Sequence, residues 1–502
     1  MTIKRAKQEI KDTVEAYLLK NEYGEYEIPI VNQRPILLLG APGIGKTQIM
    51  EQVARECGIS LVSYTITHHT RQSAIGLPFI TEKVYGGLKK NVTEYTMSEI
   101  IASVYDKIEK TGIAEGILFI DEINCVSETL APAMLQFLQC KTFGSHAVPE
   151  GWVIAAAGNP PEYNRSVREF DVVTLDRVKK IEVAPDYQVW KEYAYQHGIH
   201  AAVISYLNTR PKNFCRMETT VDGRLFATPR GWEDVSRALK VYEKLEKSMD
   251  KEVVGQYIQH PEIAADFADY LELYRKYQTD YQIDEILSGC IPDILLKKVA
   301  HAPFDERLGV MELLLSRLNT MFQKTARMED LTELLYEKLK GAREALCTVW
   351  MDDPYTWLLD LLERAGQELA YLRQAELLDR RGEHLRRDVL AILDKYLQRL
   401  RLEDVKQGPE SFEKLCSYFE EENALLDELY EKTGAMLEHV FDFMEAAFGE
   451  GQEMVIFVTE LNTGEGSVRF LQKYDCERYH QYNERLFFKE RSRTLLERIN
   501  RL

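Results

Sequence analysis

The 502-residue sequence predicts a doubly wound α/β domain on a five-stranded parallel sheet, then a small helical bundle and a long all-α region. Three observations predict this. Five short apolar runs alternate with helical stretches between residues 34 and 183. The strand signals stop near residue 185, and from about residue 250 every segment reads as helix.

The five runs are PILLLG (35–40), ISLVSYTI (59–66), GILFID (116–121), GWVIAAAG (151–158) and VKKIEV (178–183). Most are nearly continuous in Ile, Leu, Val and Ala. A strand with one wet face would alternate, so these strands are expected to be buried on both faces, between layers of helices. Ahead of them, MTIKRAKQEIKDTVEAYLLK reads as an amphipathic helix without the apolar core of a signal peptide. After them, APDYQVWKEYAYQHG is a helix ended by Gly198, and AAVISYLNTR is a helix stopped before Pro211. Thr228 caps a third helix with Pro229 at its first position, running through WEDVSRALKVYEKL. Further on, Ile263, Phe267, Tyr270, Leu271 and Tyr274 recur at three- and four-residue spacing, and residues 305–450 carry almost no Gly or Pro. The predicted organisation is a core at 1–184, a helical lid at 185–248 and a helical region at 249–502 that supplies partner or oligomer contacts.

Composition excludes several classes. Hydrophobic residues make up 45%, enough for real cores. Lys and Arg number 63 against 81 Asp and Glu, a net charge of −18, which disfavours nucleic acid as main partner. The eight cysteines contain no C-x-x-C pair and suit a cytoplasmic protein with reduced thiols. No stretch approaches the ~18 apolar residues of a membrane span.

Three motifs carry chemistry. GAPGIGKT (Gly40, Ala41, Pro42, Gly43, Ile44, Gly45, Lys46, Thr47) matches G-x-x-x-x-G-K-[ST], follows the strand PILLL and, with Gln48, opens the helix TQIMEQVAREC. Glycines let the backbone N–H groups turn toward phosphate oxygens, and the helix N-terminus favours the anion. Lys46 would reach β- and γ-phosphates, and Thr47 would set its hydroxyl on Mg²⁺. The run GILFIDEIN delivers Asp121 and Glu122 to a strand's carboxyl end, where ligands sit in such sheets. Asp121 would hold Mg²⁺ and Glu122 would polarise the attacking water. AAAGNP (155–160) ends another strand in Asn159, placed to orient the lytic water or touch the γ-phosphate; the Asn-Pro pair is also ordinary turn punctuation.

Together with LDRVKKIEV, these motifs resemble the AAA+ ATPases, and AGNPPEY with LDR is similar to the MoxR branch. The resemblance covers roughly residues 1–245. It implies a P-loop AAA+ domain with a helical lid, bound ATP and Mg²⁺, and a homo-oligomeric ring, a hexamer, that remodels or activates a protein client. It implies that Arg177 is an arginine finger acting on a neighbouring subunit's nucleotide, and that Arg230, in FATPRGWEDVSRAL, is the sensor-2 arginine acting in cis. Val178 stands where many members have Phe. The family's second-helix insertion, often a hairpin directed to the pore, maps to residues 82–91 with Gly86–Gly87 as turn; a plain loop is an open alternative. His68 and His69 lack acid or Cys partners at ligand spacing, and Arg380, Arg381, Arg386 and Arg387 are interleaved with acids as on a solvated helix face. The helical tail lacks the D-x-S-x-S signature of von Willebrand factor A domains, so such a partner would be a separate chain. A nucleotide-gated assembly scaffold, a nucleic-acid-directed motor and a metal-chelatase-type motor stay open as alternatives.

Overall fold

The computed structural model describes residues 1–68, 74, 76–143, 146–163, 170–221, 223–347 and 354–486. The chain divides into two compact units: residues 1–189 with 366–383, and residues 190–365 with 384–502.

In the first unit, α1 (Ile3–Leu18) precedes β1 (Ile36–Gly40), α2 (Lys46–Glu56) and β2 (Ser60–Thr65). A hairpin follows, β3 (Pro78–Tyr85) and β4 (Leu88–Tyr95), then α3 (Glu99–Thr111), β5 (Gly116–Asp121) and α4 (Ala131–Cys140). The two-residue strands β6 (Thr142–Phe143) and β7 (His146–Ala147) lead to β8 (Trp152–Gly158), α5 (Val172–Asp176) and β9 (Lys179–Val183). The main sheet is five-stranded and parallel, in the order β2-β5-β8-β1-β9, so each of the five apolar runs is one of its strands.

Alternate strand residues enter opposite layers, which is why the runs are continuously apolar. Ile36, Leu38, Ile117, Phe119 and Val153 pack with Ile10 and Val14 of α1 and Met50 and Val53 of α2. Leu37, Leu118, Ile120 and Ile154 pack on the other side with Ile100, Ile101 and Val104 of α3 and Met134 and Phe137 of α4. Lys179 Nζ bonds Glu9 Oε1 at 2.7 Å and Thr13 Oγ1 at 2.6 Å, fixing α1 to the edge strand β9. The segment 366–383 is held on α3 by Lys107–Glu376 at 2.9 Å and by Gln374 Nε2 donating to the Lys110 carbonyl at 2.5 Å.

The order places β1 between β8 and β9. The chain leaves β1 toward one side of the sheet and returns past it to build β9 on the other. Such a reversal opens a crevice at the carboxyl ends of the central strands.

The remaining helices run α6 (Tyr187–Gln196), α7 (Ala201–Thr209), α8 (Pro229–Lys244), α9 (Lys251–Gly255), α10 (Pro261–Asp280), α11 (Ile283–Leu287), α12 (Asp293–Ala300), α13 (Phe304–Leu339), α14 (Ala342–Cys347), α15 (Pro354–Gln374), α16 (Arg380–Leu402), α17 (Gly408–Phe448), α18 (Gln452–Thr463) and α19 (Glu465–Leu471). The long helical C-terminal region is therefore as expected. One expectation fails: strands do not stop near 185. Arg216–Thr220 (β10) and Gly223–Ala227 (β11) form an antiparallel hairpin. Its sequence signal is faint, the turn-favouring dipeptide Asp222-Gly223 between two short runs. Among the described residues no helix is long and apolar enough to cross a membrane.

Candidate active site

The sheet register brings the three motifs together. Leu39 of β1 lies beside Gly158 of β8, and Ile120 of β5 beside Ala156. Gly40, Asp121 and Asn159 therefore emerge at the carboxyl ends of three adjacent strands.

The loop Ala41–Gly45 curls between β1 and α2, and Gly45 has φ +92°, a conformation that a side chain would strain. Lys46 begins α2 and is only 8% exposed, so its ammonium must be satisfied inside. It donates to the Gly40 carbonyl at 2.8 Å, the Ala41 carbonyl at 2.9 Å and Asn159 Oδ1 at 2.9 Å. Thr47 Oγ1 donates to Asp121 Oδ2 at 3.1 Å. Gln48 follows in the first turn of α2. Residues far apart in sequence thus form two linked pairs, Lys46–Asn159 and Thr47–Asp121.

Glu122 has φ +57°, a region costing a non-glycine residue roughly 1 kcal/mol or more. The surroundings impose it. Glu122 N–H donates to Asp121 Oδ1 at 2.9 Å, Ile123 N–H to the Ala157 carbonyl at 2.9 Å, and Cys125 N–H to the Glu122 carbonyl at 2.8 Å. The strained turn leaves Glu122 half-buried beside the loop. Strain held this way concentrates at functional positions.

Asn124 was not among the sequence candidates. It is buried, donates from Nδ2 to the Asn159 carbonyl at 2.8 Å, and accepts from Asn159 N–H on Oδ1 at 3.3 Å. This brace fixes the backbone that aims Asn159 at Lys46. A Cβ on Gly158 would lie 2.5 Å from Asn124 Oδ1, so the close approach requires glycine there. Its only sequence signal was its place in DEIN, two residues beyond Glu122.

Arg177 is exposed at the end of α5, where Asp171 caps the helix by accepting from Thr174 N–H at 2.8 Å. Its Nη1 donates to Gln139 Oε1 of α4. Beside it, Val172 and Val173 are 82% and 57% exposed. Val178, by contrast, is core. Arg230 lies exposed in the first turn of α8, in the second unit, where Thr228 Oγ1 accepts from Gly231 N–H at 3.2 Å. Residues 82–91 lie in the β3–β4 hairpin, which turns at Gly86–Gly87 and pairs Pro78 with Tyr95 at its base. Phe79, Ile80, Val84, Tyr85 and Leu88 on it are exposed. His69 and the His68 side chain lie outside the described residues.

The donor set suits a nucleotide and a hard cation. A buried ammonium at a glycine loop on a helix N-terminus favours phosphate. One hydroxyl and one carboxylate are oxygen donors of the kind Mg²⁺ takes beside substrate phosphates. Residues 36–175 match the model of the ATPase family associated with various cellular activities (AAA). No curated protein matches the chain. The matched stretch spans β1 to α5 and includes Lys46, Thr47, Asp121, Glu122, Asn124 and Asn159 but not Arg177 or Arg230, so the chain carries an AAA-type ATPase domain.

Proposed function

We propose that the chain is a MoxR-like AAA+ ATPase that hydrolyses Mg-ATP in a ring, a hexamer, and uses the cycle to remodel or activate a protein client. The observation that carries the reading is the convergence of Lys46, Thr47, Asp121, Glu122 and Asn159 on one sheet edge, with Arg177 displayed at the surface.

Lys46 binds the β- and γ-phosphates. Its three ammonium protons are already shared among three oxygens, so a phosphate reaching Nζ displaces one of them. Exchange of the Asn159 contact would report γ-phosphate arrival to β8. Thr47 and Asp121 would hold Mg²⁺, which neutralises charge on the phosphate oxygens when bound. Glu122 takes the proton of the attacking water, and Asn159 orients that water. Arg177, exposed beside Val172 and Val173, is presented to a second copy, where its guanidinium would stabilise charge on the transferring group. Arg230 is assigned to the γ-phosphate in cis, and the exposed apolar β3–β4 hairpin to client contact, the client being a protein such as a separate von Willebrand factor A domain chain.

Mixing experiments test the trans assignment. Arg177→Ala and Lys46→Ala are each inactive alone. In mixed oligomers a Lys46→Ala subunit donates an intact Arg177 to a neighbour with an intact phosphate loop, so activity partly returns. Arg230→Ala mixed with Lys46→Ala is not rescued. A dead Arg177→Ala mixture in demonstrably mixed oligomers, or equal hydrolysis by dilute monomer, refutes the finger and leaves a nucleotide-gated scaffold as the better reading.

A further inference from the structure

The second unit contains a cavity of about 870 Å³ bounded by α7, α8, α10 and α13. We propose that it binds a small organic anion carrying two or more phosphate groups. The cavity has the size of an ordinary small-molecule site. Lys240, Lys247, Arg275 and Arg317 line it, a concentration of cations that stands out in a chain of net charge −18.

Two of these cations have no close partner. Among the described residues, the Lys247 and Arg275 side chains have no ion pair and no hydrogen bond. Arg317 has only a long contact, 3.7 Å, to the exposed Asp284. Lys240 donates to the Gly198 carbonyl, which leaves further ammonium protons, and burial pushes its pKa down, so a bound anion would relieve it.

The carboxylates in the wall, Glu243, Glu246 and Glu312, offset part of this charge but do not outnumber the four cations. Both Glu243 oxygens lie 3.1 Å from His200 Nε2, and the His200 hydrogen bond holds that carboxyl low, with Arg275 and Lys240 adding to the effect. Glu312 is buried, accepts from Asn208 Nδ2 at 2.5 Å, and is pushed up to about 7 by burial, with Glu460 adding to the effect and Lys191 opposing it. Burial therefore favours its neutral form. Glu246 is exposed.

The side-chain chemistry of the wall suits phosphate. Arg275 offers a planar fork to one phosphate, while Lys240 and Lys247 supply point charges for a second. Tyr274 and Leu313 give an apolar wall for an organic body. The proposal does not depend on the ATPase reading, but its test must keep the phosphate loop out of the measurement.

Calorimetric titration of the full chain, saturated with ADP, with inorganic pyrophosphate tests it. One saturable site is expected, weakened at least about tenfold in Arg275→Gln and in Lys247→Gln, as loss of a charged hydrogen bond entails. Lys276→Gln, exposed on the same helix but outside the wall, binds as wild type. Unchanged thermal midpoints show that the variants are folded. No saturation by ~10 mM pyrophosphate overturns the proposal. So does wild-type affinity in both cavity variants, an equal loss in Lys276→Gln, or binding that persists in them but vanishes in Lys46→Ala.

Discussion

Asn124→Ala isolates a residue whose effect on hydrolysis must pass through another side chain. Among the described residues, Asn124 bonds only the backbone of Asn159 within the site, by contacts of 2.8 and 3.3 Å, while the Asn159 side chain meets Lys46. Truncation deletes two hydrogen bonds in a buried position and leaves the Asn159 N–H and carbonyl unpaired, at roughly 1 kcal/mol for each. If most of that loss falls on the transition state, kcat drops between about 10- and 30-fold. Lys46, Thr47 and Asp121 are untouched, so KM for ATP stays within about twofold. Steady-state hydrolysis of Asn124→Ala, Asn159→Ala and the double variant forms a cycle. Once the Asn159 side chain is gone there is nothing left to aim, so the double variant should be no slower than Asn159→Ala. Gly158→Ala provides a second route to the same state, because its Cβ would fall 2.5 Å from Asn124 Oδ1 and push the brace aside. A wild-type kcat in Asn124→Ala, or losses that multiply in the double variant, refutes the positioning role.

Two further perturbations follow from the same geometry. Glu122→Gln should bind ATP as wild type yet hydrolyse it at least about 100-fold slower in single turnover, whereas Glu122→Gly, equally inactive, should resist urea better by about 1 kcal/mol because glycine adopts φ +57° without cost. Lys141 is buried against Gln33 Oε1 at 3.3 Å, and burial pushes its pKa down to about 8 from an ordinary 10.5, which disfavours the cation by about 3 kcal/mol. Lys141→Met removes that penalty but strands the Gln33 oxygen, for a net gain of about 2 kcal/mol in urea unfolding at pH 7. Because the folded state sheds this proton first, wild-type stability rises relative to the variant between pH 8 and 10.5, and the advantage of Met disappears above that window; an advantage that persists or grows with pH contradicts the assignment.

The sheet was legible because each strand buries both faces, so its residues could be recognised without knowing their neighbours. Leu37 and Leu38 go to opposite layers, yet both must be apolar whatever lies there. The order of the strands follows from pairing, which residue-by-residue reading does not contain; only the carboxyl-end placement of Asp121 and Asn159 carried over from the motif context. The β10–β11 hairpin was not legible because all its residues but Ala227 are half-buried or exposed and its alternation is weak beside the helices that flank it. The attachment of residues 366–383 to α3 escaped for another reason: Glu376 and Gln374 meet Lys107 and Lys110 across more than 260 residues of chain, and no local pattern marks such a meeting.

Within the site, the residues proposed to touch phosphate, metal or water were legible and the ones that hold them were not. Lys46, Asp121 and Glu122 are recognisable because their chemistry fixes both residue type and spacing. Asn124 serves geometry, and a buried amide has many ordinary uses, so its identity matters only once β5 and β8 are seen side by side. The same holds for Gln139, which receives the guanidinium of Arg177. That contact bears on the proposed finger. A guanidinium held by a neutral amide remains charged and weakly committed, and can exchange Gln139 for a phosphate at small cost. Had Arg177 been locked to a buried carboxylate, reaching a neighbour would have meant leaving that charge unpaired, at several kcal/mol. The exposed setting of Arg177, flanked by Val172 and Val173, is therefore the arrangement a residue needs if its work is done across an interface.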